Sequence, residues 1–577
     1  MNTKQLILHT LIIILAFCYF SGIAAGFDTG KPCSQAESPS SVNGAGSTFE
    51  IKYTCYDTYG DEVCGSDSSG SGLYRVDLYV KAPGHTEYDL AGVDIEDAID
   101  GSLPYIASDT GEYFFYTLAM DMATNIEEPP LRGYDTKTVC VPDFPGYFIL
   151  AVGSVYGEEG IEAHTLTGNN VYSHLINRGF VPDNIRYFNP NPETQTGEED
   201  YSEIGYQWAM REAVTQWAPD QMKKAPGPLY ITLINHGLPD MFHLTGITPL
   251  YARELDAWLD ELQENLRTEN IEQPIVIIIG ASYSGSFIDN LSDPGRIIIT
   301  SAADDEPSYR GTRDLYDVRD GEFFTSALFN ELSMGNNLRT SFERAVEQTE
   351  AYTDSGKSDR PLPYSDTAKQ HPLLDDNGDG AGTNDFSAGS DGGEAEYVFL
   401  GRESDNPGPV MVTEAGTIPS NLSDSDNQAL LWVQVSDTER AQAVWVDIRE
   451  PGMILEDSEG QQVLNLGGIF LHRNDAENRY EAVYSEFSLF GEHTLFFYAQ
   501  DITGIISPFE KKYLYKIPKG DINKDGNADV ADAISGLRLL CNADISGMSI
   551  STHADVNGDG KIGFSEVIFV LQNAAEL

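Results

Sequence analysis

Hydrophobic and polar positions change rhythm several times along the chain. Between residues 27 and 143 they alternate. Leu73-Tyr74-Arg75-Val76-Asp77-Leu78-Tyr79-Val80 and, after a glycine turn, Glu112-Tyr113-Phe114-Phe115-Tyr116-Thr117-Leu118-Ala119 carry the period of two of half-buried strands. Short strands between Gly, Pro and Asp turns predict an immunoglobulin-like β-sandwich. From 145 to 400 the strands become continuous apolar runs: Tyr147–Val152, Ile185–Phe188, Leu229–Ile234, Ile275–Ile279 and Arg296–Thr300. Helical spacing fills the intervals at Thr165–Asn177, Ile204–Trp217, Tyr251–Leu266, Glu322–Leu332 and Leu338–Tyr352. This alternation predicts an α/β domain whose mainly parallel sheet is covered on both faces. Its chemistry is expected at the carboxyl ends of the strands, just beyond Ile234 and Ile279.

Residues 356–394 read as loop, rich in Pro, Gly and Asp. Strand patterns return between 408 and 516, at Leu430–Val435, Ala443–Ile448 and His493–Ala499, and predict a second immunoglobulin-like β-sandwich. Ile517-Pro518-Lys519 links it to a terminal module, 520–577. At the other end, Lys4 precedes an apolar run from Leu6 to Phe20 and then small residues, which reads as a signal peptide over 1–25, cut after Ala24 or Ala25. Phe17 is too bulky for Cys18 to be a lipoprotein anchor. No later stretch reaches the ~20 apolar residues of a membrane span. The expectation is a secreted, extracellular protein.

At a prior of roughly 150 residues per domain, 577 residues suggest about four domains. Asp and Glu number 91 against 35 Lys and Arg, a net charge of −56 that repels phosphate backbones and excludes a nucleic-acid partner. In an oxidising space Cys33, Cys55, Cys64 and Cys140 are expected to form two disulfides, with three pairings open. Cys541, in an apolar setting, is expected to be a buried thiol.

The acidic residues are not scattered. Asp521, Asn523, Asp525 and Asp529 fall at positions 1, 3, 5 and 9 of a twelve-residue loop closed by Asp532, with Gly526 at the sharp turn. Asp555, Asn557 and Asp559 repeat the pattern, with Glu566 at position 12. Position 7, Asn527 or Lys561, adds a backbone carbonyl. Hard oxygen ligands at this spacing wrap one Ca²⁺ per loop. Two such loops, each running into an apolar helix, resemble a type I dockerin over 520–573. That resemblance implies docking to a cohesin-bearing protein, with positions 10 and 11 setting the partner. Val530-Ala531 and Phe564-Ser565 differ, which argues against a symmetric two-way mode. Asp375-Asp376-Asn377-Gly378-Asp379-Gly380 has the same opening, but its position 12 is Phe386. It reads as calcium loop or solvated acidic loop.

Asn235-His236-Gly237 follows one central strand and Ala281-Ser282-Tyr283-Ser284-Gly285-Ser286 the next. An apolar block ending in His-Gly, then a second ending in a short Ala-Cys-x-Ser/Gly segment, marks caspase-like cysteine peptidases. With Phe287-Ile288 and Gly295 to Ser301, residues 145–390 resemble the legumain (asparaginyl endopeptidase) family. The resemblance implies a caspase-like fold, a polypeptide substrate, a general acid–base role for His236 and a nucleophile at 282. There Ser282 stands where the family has Cys. A thiol is partly ionised near neutrality, whereas a serine hydroxyl needs an oriented base. Proteolysis is therefore expected to be weak or absent, the alternatives being an endopeptidase using Ser282 and a non-catalytic peptide-binding protein. An α/β-hydrolase elbow fails, because Gly280-Ala281-Ser282-Tyr283-Ser284 lacks the final glycine. His164 is read as a cleft residue or a satisfied loop histidine, His243 as a surface residue, and Asp304-Asp305-Glu306 as a solvated acidic loop rather than carboxylates presented to a basic substrate side chain.

Overall fold

The computed structural model describes residues 30–57, 71–95, 100–141, 143–154, 160–189, 205–356, 366–388, 391–402, 408–453, 462–463, 466–543 and 550–575. The signal-peptide reading over 1–25, Cys18 and Cys64 lie outside them. No described helix is long and apolar enough to cross a membrane. The chain divides into two compact units, residues 1–143 and 144–577.

In the first unit a three-stranded sheet (Cys33–Glu37, Thr48–Tyr56, Asp100–Ile106) accompanies a five-stranded one. Period-two burial works on both: Phe49 and Ile51 share a core with Leu78, Val80, Tyr113 and Phe115. The expected cysteine pairing is corrected here. Cys33 is disulfide-bonded, but Cys55 and Cys140 are buried thiols. Both face inward from strands and behave as small apolar core residues.

The second unit is built on a six-stranded sheet. Its strands are β1 (Tyr147–Val152), β2 (Ile185–Phe188), β3 (Leu229–Ile234), β4 (Ile275–Gly280), β5 (Arg296–Thr300) and β6 (Leu373–Asp375). Their order is β2-β1-β3-β4-β5-β6, the first five parallel and β6 antiparallel to β5. Each apolar run divides its side chains by period two. Phe148, Leu150, Val152, Val276 and Ile278 pack with residues of helices Gly160–Asn177, Phe323–Ser333 and Leu338–Thr353 on one face. Tyr147, Ile149, Ala151, Ile275, Ile277 and Ile279 pack with the helical stretch 205–224 and helix Ala252–Arg267 on the other. Two apolar faces are why these strands show no alternation in sequence. The strand order reverses at β1, which puts the crevice of an open α/β sheet at the carboxyl ends of β1 and β3. β6 lies inside the stretch expected to be loop, its three residues too few to show a period.

Residues 412–517 form a four-stranded and a five-stranded sheet around a shared core of Leu431, Val433, Val444, Val446, Phe497 and Leu514. The reverse face of the five-stranded sheet is also apolar. Ala443, Trp445, Phe496 and Tyr498 join the core of the α/β region, and the Trp445 indole N–H donates to Thr312 Oγ1 at 3.0 Å. This region is fused to the α/β core rather than strung beside it. At the end of the chain, helices Val530–Leu540 and Phe564–Ala574 meet through Ala533, Val567 and Val570. Cys541, expected to be buried, is exposed just beyond the first of these helices, because a core this small reaches only one face of it.

Candidate active site

Strand register brings the two signature segments together. Val152 pairs with Ile234, and Ile234 with Gly280, so β1, β3 and β4 end level. His236 and Ser282 each lie two residues beyond that line, on neighbouring strands. Gly237 follows the histidine because a Cβ there would come within 2.5 Å of the Ser282 carbonyl oxygen. Gly153 does the same for β1, where a Cβ would meet the His243 carbonyl at 2.1 Å.

Ser282 is 5 % exposed, and its Oγ accepts the Ser308 backbone N–H at 3.0 Å. Its loop is held by the one after β5. Tyr283 N–H donates to the Glu306 carbonyl at 2.7 Å, Gly285 N–H to Ala302 at 2.9 Å, and the Ala281 N–H to Ser301 Oγ at 3.0 Å. Tyr283 adopts φ 61°, a left-handed turn just after the candidate nucleophile.

His236 is buried, 8 % exposed. The ring of His164 meets it edge-on, with centroids 5.2 Å apart at 81°. His164 is therefore no loop residue. It sits in helix Gly160–Asn177, 1 % exposed, behind the strand end. His243 is no plain surface residue either. Its N–H donates to the His236 carbonyl at 3.1 Å, and its own carbonyl accepts the Asn235 side-chain amide at 2.7 Å, so it braces the turn that carries His236.

Glu306 overturns part of the acidic-loop reading. Asp304 and Asp305 are exposed, but Glu306 is 2 % exposed. Its carboxylate faces His371 Nδ1 at 2.6 Å and accepts the His371 and Ala303 N–H groups at 2.7 and 3.2 Å. These donors replace water around a charge that pattern alone would leave solvated. The other ring nitrogen of His371 faces Asp366 at 3.1 Å. Two more carboxyls lie behind the site. Burial raises Asp320 to about 6, against hydrogen bonds from Thr167 and Ser326. Burial likewise raises Glu322 to about 7, although its Oε2 accepts the Thr325 N–H and hydroxyl at 2.7 and 2.5 Å. Glu322 also sits where a side chain at Gly280 would go. Sequence analysis singled out Glu306 only as part of an acidic loop and missed Glu322 and the Ser308 N–H; the only signal was their place beyond the β5 terminus.

The terminal loops have matching geometry. Asp521 accepts the Lys524 and Gly526 N–H groups at 2.7 and 3.0 Å, and Asp555 accepts those of Gly558 and Gly560 at 2.8 and 2.6 Å. Asp532 Oδ1 and Glu566 Oε1 turn back onto the residue after each loop start, Ile522 and Val556. The seventh residues, Asn527 and Lys561, donate N–H to Asp525 and Asp559, whose own N–H groups reach Asn523 and Asn557. Asp529 caps its helix through the Ala531 N–H. Ligand atoms of Asp521, Asp525 and Asp532 lie within 4.8 Å of one another. Burial, with repulsion from Asp532 and Asp525, raises Asp521 to about 6. Such crowding of carboxylates fits a divalent cation.

The topology defines an open α/β sheet whose central strands end level at its carboxyl edge, with His236 and Ser282 just beyond that line. Residues 222–360, which hold both His236 and Ser282, match the model of the peptidase C13 family. Among solved structures the chain is similar to caspase-1 from Spodoptera frugiperda, at 14 % identity and a TM-score of 0.28, over 40 % of this chain and 85 % of that one. None of the curated proteins matches the chain.

Proposed function

We propose that this is a secreted member of the legumain-type peptidase family in which Ser282 has replaced the thiol nucleophile, so that its cleft engages polypeptide with weak or absent turnover. The observation that carries the reading is the level ending of β3 and β4, which sets His236 and Ser282 side by side within a C13-matching segment. Ser282 Oγ accepts the Ser308 N–H, and a serine hydroxyl is not ionised near neutral pH without an oriented base. A serine nucleophile needs that pre-oriented base, whereas a thiol beside a histidine needs much less. Fluorogenic peptides compared across wild type, Ser282→Cys and Ser282→Cys/His236→Ala test this. Turnover should appear with the thiol and vanish with the second change. Wild-type cleavage abolished by Ser282→Ala would establish an active serine endopeptidase instead.

The same reading gives the terminal module, 520–577, the part of a dockerin. Asp521, Asn523, Asp525, Asn527, Asp529 and Asp532 would hold one Ca²⁺, and Asp555, Asn557, Asp559, Lys561 and Glu566 the second. Each helix exposes apolar residues at matching positions, Val530, Ile534 and Leu537 on one and Phe564, Ile568 and Leu571 on the other. Paired apolar stripes of this kind suit a cohesin-type partner on an extracellular assembly. Chelator should abolish that capture, and capture unaffected by chelator would rule the module out as a dockerin.

A further inference from the structure

We propose that the peptidase-like region carries a calcium site of its own, opened by Asp375, Asn377 and Asp379 and closed by Asp391. In a continuous twelve-residue loop the closing carboxylate would stand at Phe386, whose ring is instead 8 % exposed. The chain passes through a short helical turn, Phe386–Ala388, and returns at Asp391. Asp391 Oδ1 accepts the Asp376 N–H at 3.3 Å, which fixes its carboxylate beside the start of the loop.

The loop has the internal bonding of the two terminal ones. Asp375 accepts the Gly378 N–H at 3.2 Å, Asn377 that of Asp379 at 2.8 Å, and Asp379 that of Ala381 at 2.9 Å. The difference is at the sixth residue. Gly526 and Gly560 donate to the second oxygen of Asp521 and Asp555, but Gly380 donates to Ser292 Oγ at 2.9 Å. Asp375 Oδ2 is thereby left buried without a donor, and Asp391 Oδ2 is in the same condition. These residues are 1 % and 4 % exposed. Two buried carboxylate oxygens without donors are costly unless a cation meets them. Asp376 is excluded as a ligand because its oxygens accept the Gly392, Glu394 and Ala395 N–H groups, each at 2.8 Å. An all-oxygen set selects calcium over softer metals. The loop packs on the segment after the Ser282 turn, where a Cβ at Gly382 would meet Ile288 Cδ1 at 2.5 Å. Bound calcium would pin the edge strand β6 to that segment.

The test uses the calcium-depleted full chain, with calcium chloride added back and bound calcium counted per chain by equilibrium dialysis. Asp375→Asn/Asp391→Asn should bind one calcium fewer than wild type. Without calcium its thermal midpoint should equal or exceed that of wild type, since two buried charges are gone, and calcium should no longer raise it through this site. Asp521→Ala/Asp555→Ala, which disables the terminal loops, should still bind one calcium. If the first variant does not fold, that second count decides. An equal count in wild type and Asp375→Asn/Asp391→Asn, or no calcium in Asp521→Ala/Asp555→Ala, overturns the proposal. Failure of the terminal-module reading looks different: wild type would then bind the same single calcium as Asp521→Ala/Asp555→Ala.

Discussion

Glu322→Gln should make the protein more stable, and increasingly so as pH rises. Glu322 is fully buried at the N-terminus of helix Phe323–Ser333, and burial holds its carboxyl at about 7 against an ordinary 4.5. Below 4.5 the group is neutral in folded and unfolded chains alike, so it costs nothing. Between 4.5 and 7 the unfolded chain releases the proton first, and stability falls until the folded carboxyl also ionises. At ~1.4 kcal/mol per unit of pKa, the rise amounts to about 3 kcal/mol above pH 7 and about 1 kcal/mol at pH 5. Glutamine keeps an oxygen for the Thr325 N–H and hydroxyl and never ionises. The advantage of the variant should therefore grow by about 2 kcal/mol between pH 5 and 8. Asp447, also raised to about 6, is present in both proteins and cancels in the difference, whereas Asp320 repels Glu322 directly and adds to its rise. Urea unfolding followed through the buried Trp217 and Trp258 reports on the α/β region. A pH-independent difference, or a variant less stable at pH 8, would show that Glu322 is not a strained buried carboxyl.

Gly285→Ala should cost about 1–3 kcal/mol, since its Cβ would come within 2.6–2.7 Å of the Asp304 and Ala303 backbone and force the β4 and β5 loops apart; circular-dichroism melts check this, and an unchanged midpoint would count against the clamp on Ser282. Iodoacetamide at pH 8 should label Cys541 in the native chain and spare Cys55 and Cys140, the latter pushed up to about 11 by burial; peptide mapping reads the sites, and labelling of Cys140 at the rate of Cys541 would contradict a closed core.

Much of the α/β region was legible in the sequence. A run such as Ile275–Ile279 has no polar side to offer, so it must lie between two covered faces, and the parallel sheet follows. Ala443-Val444-Trp445-Val446 read only as a strand of the second sandwich; that Ala443 and Trp445 cover the α/β core was shown by the packing. Register did the rest for the site. His236 and Ser282 were legible because each follows the end of such a run. What lies within the same few ångströms but far apart in sequence was not legible. Glu306 reads as one more acid in an acidic loop until His371, 65 residues on, supplies its donors. Asp391 reads as linker until the turn at Phe386 returns it to Asp375. Cys55 and Cys140 read as two of four cysteines in two disulfides because spacing carries no direction, and only the packed sheets show both thiols facing a core. Apolar periodicity specifies which face of an element is covered. Which polar groups meet under that cover depends on how elements distant in sequence pack, and there the tertiary structure alone decides which charges are satisfied and which are left to bind a ligand.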